Sequence, residues 1–288
     1  MNNYVIFTDS GCDIKSALLK EWGVEHLDLT FRFEGENREY SNSDMEITDF
    51  YNKMREGGIA KTAAINPDTF TEAFEEILKQ GNDILYIGFS SGLSTTYNSA
   101  RIAADELLEK YPDNKIITVD SLAASAGQGL LVRLTCDKKA AGASIEEAAE
   151  YAENIKLNIC HWFTVDDLVY LKRGGRVSST VAFVGTVLGI KPILHVDNEG
   201  KLISMSKVRG RKAALAALAN KYSETAMNLG EGKIFISHAD CVNDANELAN
   251  IIKSKHGIEV EVITDVGAVI GAHSGPGTLA LFFVGNER

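Results

Sequence analysis

The feature that most constrains this 288-residue chain is a repeated order: short apolar run, polar loop, amphipathic helix. Residues 4–8 (YVIFT) are an apolar run followed by Asp9-Ser10-Gly11, and residues 14–22 then have helical spacing. Residues 84–87 (ILYI) lead through GFSSGLSTT into a helix over 99–110. Residues 116–119 end in Asp120-Ser121, and the same alternation resumes with strands at 234–237, 260–263 and 279–284. Strands that alternate with covering helices imply an α/β fold with largely parallel sheets.

Local signals sharpen the boundaries. Asn66-Pro67 reads as a helix start, a capping side chain followed by proline at the first helical position. Ser144-Ile145-Glu146-Glu147 has the form of a capping box. Residues 191–196 and 202–207 flank the polar turn Asp197-Asn198-Glu199-Gly200, as in a hairpin. Residues 24–33 read as one extended stretch and 210–227 as a helix. The expected division is an N-terminal α/β lobe over 1–157 and a C-terminal α/β lobe over 158–288, where the strand ICHWFTV begins.

Charge and cysteine content exclude several functions. A net charge of −11 argues against nucleic-acid binding and against more than transient contact with anionic membranes. Cys12, Cys136, Cys160 and Cys241 are scattered without metal-ligand spacing, and no apolar run is long enough to span a bilayer. The N-terminus lacks a basic leader, so a cytoplasmic location is expected, with no metal and no cofactor.

Three hydroxyl-rich loops follow strands: Thr8-Asp9-Ser10, Ser90 to Thr96, and Asp120-Ser121. In a parallel sheet such loops meet at the carboxyl edge, where ligands bind. The bland alternative is that each hydroxyl only caps a helix. Gly88 to Gly92 also matches G-x-S-x-G, and the late His273 gives the order Ser, Asp, His. An esterase-like serine hydrolase using Ser90 and His273 is therefore the competing reading. It lacks an upstream glycine-rich oxyanion loop. His273 lies among small residues in GAHSGPGT, without a second histidine at metal-ligand spacing, which favours an anion donor over a metal ligand. Two basic clusters, Lys172, Arg173 and Arg176, then Lys207, Arg209, Arg211 and Lys212, hold seven of the 29 lysines and arginines. Such clusters on an acidic chain suit a phosphate or an acidic partner surface.

Taken in register, FTDS, KT at 61–62, SSGLS, TYNSA, VDS, DDLVYLKRGGRVS, GIKPIL, KVRGRKAAL and HSGPGTLAL resemble the DegV family. The resemblance implies two α/β lobes holding a long-chain fatty acid, with the carboxylate bound by Thr62, Ser94 and His273. Ser91, Thr95, Ser121 and Gly275 are further pocket candidates. It implies a lipid-binding subunit with no catalytic residue of its own. Such a subunit presents the acid to a separate ATP-dependent fatty acid kinase, which makes the acyl phosphate for phospholipid synthesis. Lys172, Arg173, Arg176, Arg209 and Arg211 would meet that kinase or its phosphate. The chain departs from the usual pattern at Ala63-Ala64-Ile65-Asn66 and at Thr95, which stands where the family has glycine. Either a protonated His273 offsets the ligand charge, or a neutral one faces a protonated acid.

Overall fold

The computed structural model describes residues 3–177 and 189–288. Its first sheet is built from β1 (Tyr4–Asp9), β2 (Val24–Leu27), β5 (Asp83–Gly88) and β6 (Ile116–Asp120), in the order β2-β1-β5-β6. All three pairings are parallel. Every residue of β5 is buried, as expected for a strand covered on both faces. The covering helices are α1 (Ser16–Glu21), α3 (Pro67–Lys79), α4 (Thr96–Lys110) and α6 (Ile145–Ile155). Asn66 caps α3, its side chain accepting from the Thr69 amide at 2.9 Å. Ser144 and Glu147 close the capping box that opens α6. A small antiparallel pair, β3 (Thr30–Phe33) and β4 (Ala60–Ala63), packs with α2 (Ile47–Arg55) against Val266, Ala268 and Ala272 of the C-terminal half. The stretch 24–33 is thus split between two sheets.

The second sheet contains β7 (Ile159–Thr164), β8 (Ile190–Val196), β9 (Leu202–Arg209), β10 (Ile234–His238), β11 (Val262–Asp265) and β12 (Leu279–Val284). Its order is β11-β10-β12-β7-β8-β9. The expectation of mainly parallel sheets fails here. Only β10 and β11 pair in parallel; the other four pairings are antiparallel. Two causes are visible. The tight turn after Val196 forces β8 and β9 to be antiparallel, and β12 inserts between β10 and β7 instead of extending an edge. Helices α7 (Val169–Arg173), α8 (Arg211–Thr225), α9 (Val242–His256) and α10 (Ala268–Ser274) accompany this sheet.

Between the sheets lies α5 (Ala126–Ala140), in which nine of the fifteen residues are buried. Two glycines permit the fit. A Cβ on Gly127 would meet His161 of β7 at 2.2 Å, and one on Gly129 would meet Ile14 at 2.4 Å. One apolar cluster consequently runs from Ile6 and Leu85 through Leu130 to Phe163, Phe235 and Phe282.

Candidate functional site

In the first sheet the chain proceeds outward from β1 to β2 and then returns to the other side of β1 as β5. The crevice between the carboxyl ends of β1 and β5 is a topological switch point, the usual ligand position in such sheets. A cavity of about 870 Å³ opens at the carboxyl edge of this sheet, beside the loop that follows β5, and extends between the two sheets. Its size is within the range of small-molecule sites. Phe89, Leu93 and Val269 contribute apolar surface beside the first sheet, and Phe163, Leu202 and Phe282 contribute it from the second.

Thr62 and His273 meet on the wall of this cavity. Thr62 stands on β4, where antiparallel pairing sets it opposite Phe31. His273 stands in the last turn of α10. Thr62 Oγ1 and His273 Nε2 are 2.8 Å apart, across 211 residues of sequence. His273 Nδ1 is buried without a hydrogen-bond partner. The space for this ring is made by Gly174, where a Cβ would lie 2.1 Å from Nδ1. The turn after His273 is fixed in the same way. Gly275 has φ +81° and lies against the Tyr170 ring; Gly277 has φ +79° and lies against Asp166. Only glycine takes both the conformation and the contact without strain.

Ser91, Ser94 and Thr95 line the cavity from the loop between β5 and α4. Ser94 Oγ accepts from the Thr96 amide at 3.2 Å and pairs with Thr96 Oγ1 at 2.9 Å. It therefore lies at the amino end of a fifteen-residue helix, where the dipole and free N–H groups favour an anion. Two other candidates are placed elsewhere. Ser121 is buried in the turn before α5, its hydroxyl accepting from the Ala123 amide at 3.1 Å, and it does not line the cavity. Gly275 shapes the turn but does not line the cavity either.

The basic residues separate into three groups. Lys172 and Arg173 are exposed at the end of α7, with the Arg173 guanidinium 5.7 Å from the Tyr170 ring. Arg209 is exposed at the end of β9. Arg211 is half-buried and already paired, 2.8 Å from Asp244 and 3.6 Å from Asp166. Arg176 instead lines the cavity. Its Nε donates to the Leu93 carbonyl at 3.2 Å, and Nη1 donates to the Gly174 carbonyl. Leu93 adjoins Ser94 and Gly174 abuts His273, so the guanidinium is fixed beside these two head-group candidates.

This arrangement sets the charge of the site. Burial, reinforced by the Arg176 guanidinium, pushes His273 down to about 4. The imidazole is neutral at neutral pH, and Arg176 supplies a cation beside it. The sequence placed Arg176 with the exposed cluster because three residues of lysine and arginine in KRGGR look alike in one dimension. The intervening Gly174 and Gly175, which let the chain turn back, were the available signal.

Ser90 is not equipped as a nucleophile. Its buried hydroxyl donates to the Gly200 carbonyl at 3.0 Å and accepts from the Gly92 amide at 3.2 Å. A reactive serine needs a base within reach, and His273 Nε2 is engaged with Thr62. Ser90 instead ties the β5 loop to the β8–β9 turn. His161 lines the cavity as well, but both ring nitrogens are occupied. Nδ1 is 2.8 Å from the Ile159 carbonyl, and Nε2 accepts from the Ala124 amide at 3.3 Å.

A family model described as "Uncharacterised protein, DegV family" matches residues 3–286. The chain belongs to the DegV family. A DegV domain-containing protein of Clostridium perfringens is 47% identical over 291 residues, covering 100% of this chain and 99% of the relative. Among solved structures, a DegV family protein from Thermus thermophilus, described by its fatty acid binding, superposes with a TM-score of 0.88 at 28% identity, covering 99% of this chain and 100% of that one. DegV from Bacillus subtilis, described as a fatty acid binding protein, superposes with a TM-score of 0.82 at 28% identity over 99% and 100% of the two chains. Among the described residues, no helix is long and apolar enough to cross a membrane, and no cluster of three potential metal ligands exists.

Proposed function

We propose that this DegV protein holds one long-chain fatty acid between lobes 1–157 and 158–288 and presents its carboxylate to an ATP-dependent kinase. The observation that carries this reading is the 2.8 Å contact of Thr62 and His273 on the wall of a largely apolar-lined cavity that Ser94 also lines. The carboxylate accepts from Ser94 and from the one donor that the bonded Thr62–His273 pair leaves free, and Arg176 supplies the opposing charge. A buried carboxylate is costly without such partners. The tail supplies most of the affinity, about 0.8 kcal/mol for each methylene removed from water. Each neutral head-group hydrogen bond adds about 1 kcal/mol.

Nothing in this arrangement performs chemistry on the acid. The protein acts by desolvating the tail and fixing the head group, with no cofactor. Phosphoryl transfer requires a partner that brings ATP, and exposed Lys172, Arg173 and Arg209 form the surface proposed to receive it. Fatty-acid binding in the Thermus and Bacillus relatives supports the ligand class. Native mass spectrometry of the freshly purified protein tests the reading. A noncovalent adduct with the mass of one fatty acid is expected, at reduced occupancy in a Thr62→Ala, Ser94→Ala double variant. Protein that stays ligand-free after incubation with stearate and oleate would overturn it.

A further inference from the structure

The cavity wall is not uniformly suited to a hydrocarbon. Beyond the head-group residues it carries the hydroxyls of Ser125, Ser237, Ser274 and Thr278. Thr278 is satisfied internally, donating to the carbonyls of Ser274 and Gly275 at 3.0 and 2.8 Å. Ser125 donates to the buried Asp13 carboxylate, and its oxygen is 2.9 Å from Ser237 Oγ. With the Ser125 proton directed to Asp13, Ser237 donates to Ser125, and both oxygens keep open lone pairs. Ser125 is also held at φ 54°, a conformation rare for residues other than glycine. Such strain persists where the surroundings fix it and often accompanies ligand sites.

Ser274 differs from these. It is 5% exposed, it lines the cavity, and its hydroxyl has no hydrogen-bond partner. An unsatisfied buried hydroxyl is a standing destabilisation. A plain alkyl chain offers it neither donor nor acceptor, so filling the cavity with a simple saturated tail leaves the group desolvated and unpaired. A ligand that brings a hydroxyl of its own relieves this, since a hydroxyl both donates and accepts.

We infer that the cavity is built for an acyl chain carrying a hydroxyl group, with Ser274 as its partner and Ser237 and Ser125 as neighbouring acceptors. The inference rests on the fatty-acid reading above and names the class of fatty acid. One added hydrogen bond corresponds to roughly a fivefold gain in affinity.

The test compares delipidated full-length protein binding stearate with binding its 3-, 10- and 12-hydroxy derivatives by isothermal titration. At least one hydroxy isomer is expected to bind about fivefold or more tightly than stearate. Ser274→Ala is expected to abolish that preference, the hydroxy acids then binding no more tightly than stearate. Ser274→Thr, which keeps the hydroxyl, is expected to retain it. Equal affinity for stearate and all three isomers, or a preference that survives Ser274→Ala, overturns the inference and leaves fatty-acid binding standing. Failure of both stearate and the hydroxy acids to bind refutes the fatty-acid reading itself.

Discussion

Gly174→Ala tests the link between backbone packing and ligand binding. Gly174 has φ −72° and ψ −13°, a conformation open to any L residue, so alanine adds no backbone strain. By restricting the unfolded chain it gains up to about 1 kcal/mol of stability. The new methyl, however, lands 2.1 Å from Nδ1 and 3.0 Å from Cγ of His273. These atoms lie at the root of the ring, so the whole imidazole must move, and the 2.8 Å contact with Thr62 breaks. Overpacking of this kind costs about 1–3 kcal/mol, so net stability changes by about 2 kcal/mol or less. The ligand loses the one oriented donor of the pair, about 1 kcal/mol, which predicts roughly fivefold weaker binding. Displacement of a fluorescent fatty acid reads this directly, with thermal unfolding as a control for the fold. In a His273→Ala background the three atoms nearest that methyl are gone, so Gly174→Ala is expected to have no further effect on affinity there. Unchanged affinity in the single variant, or equal losses in both backgrounds, would refute the reasoning.

Other predictions follow from the same geometry. Arg176→Gln removes the cation and weakens stearate binding about tenfold or more at pH 8 while leaving octadecanol binding unchanged; equal losses for acid and alcohol would exclude a charge role. The same change raises the His273 titration midpoint in a histidine NMR titration, because the guanidinium holds it down. Burial pushes Asp13 up to about 7 despite its hydrogen bonds from Ser125 and Gly267. Its folded-state value exceeds the unfolded one near 4, so ionising it costs stability as pH rises from about 4 to about 7. Asp13→Asn is therefore expected to gain stability relative to the parent on going from pH 5 to pH 8 in urea unfolding; a difference that does not change with pH contradicts this. A fluorophosphonate probe leaves the protein unlabelled, and Ser90→Ala retains fatty-acid binding; labelling at Ser90 would restore the hydrolase reading.

Much of the fold was legible because local chemistry agreed with the tertiary structure. The Asn66 cap, the Ser144–Glu147 capping box and the turn at 197–200 each act over a few residues, and each is present. Helix α5 was missed for the opposite reason. Gly127 and Gly129 depress its helix propensity, and burial on nearly all sides erases the periodic stripe that marks a surface helix. Strand direction in the second sheet was not legible, since β12 takes its place only through pairing with β7 and β10, distant in sequence. At the site, the proximity of Thr62 and His273 came from resemblance, not from any local signal, because their contact depends on the packing of α10 against β4. Local sequence also could not reveal that Arg176 turns inward, or that the two hydroxyls of Ser90 and Ser94, four residues apart, divide between a structural tie and the cavity wall.

The most direct test of the central claim is the ¹³C NMR spectrum of carboxyl-labelled stearate bound to the protein, followed from pH 8 to pH 5. The account predicts one bound carboxyl resonance that stays in the ionised position over this range, held by Arg176, and that shifts in Ser94→Ala and in Thr62→Ala. A bound carboxyl that titrates as it does in free solution, or one indifferent to both substitutions, would show that the head group lies elsewhere.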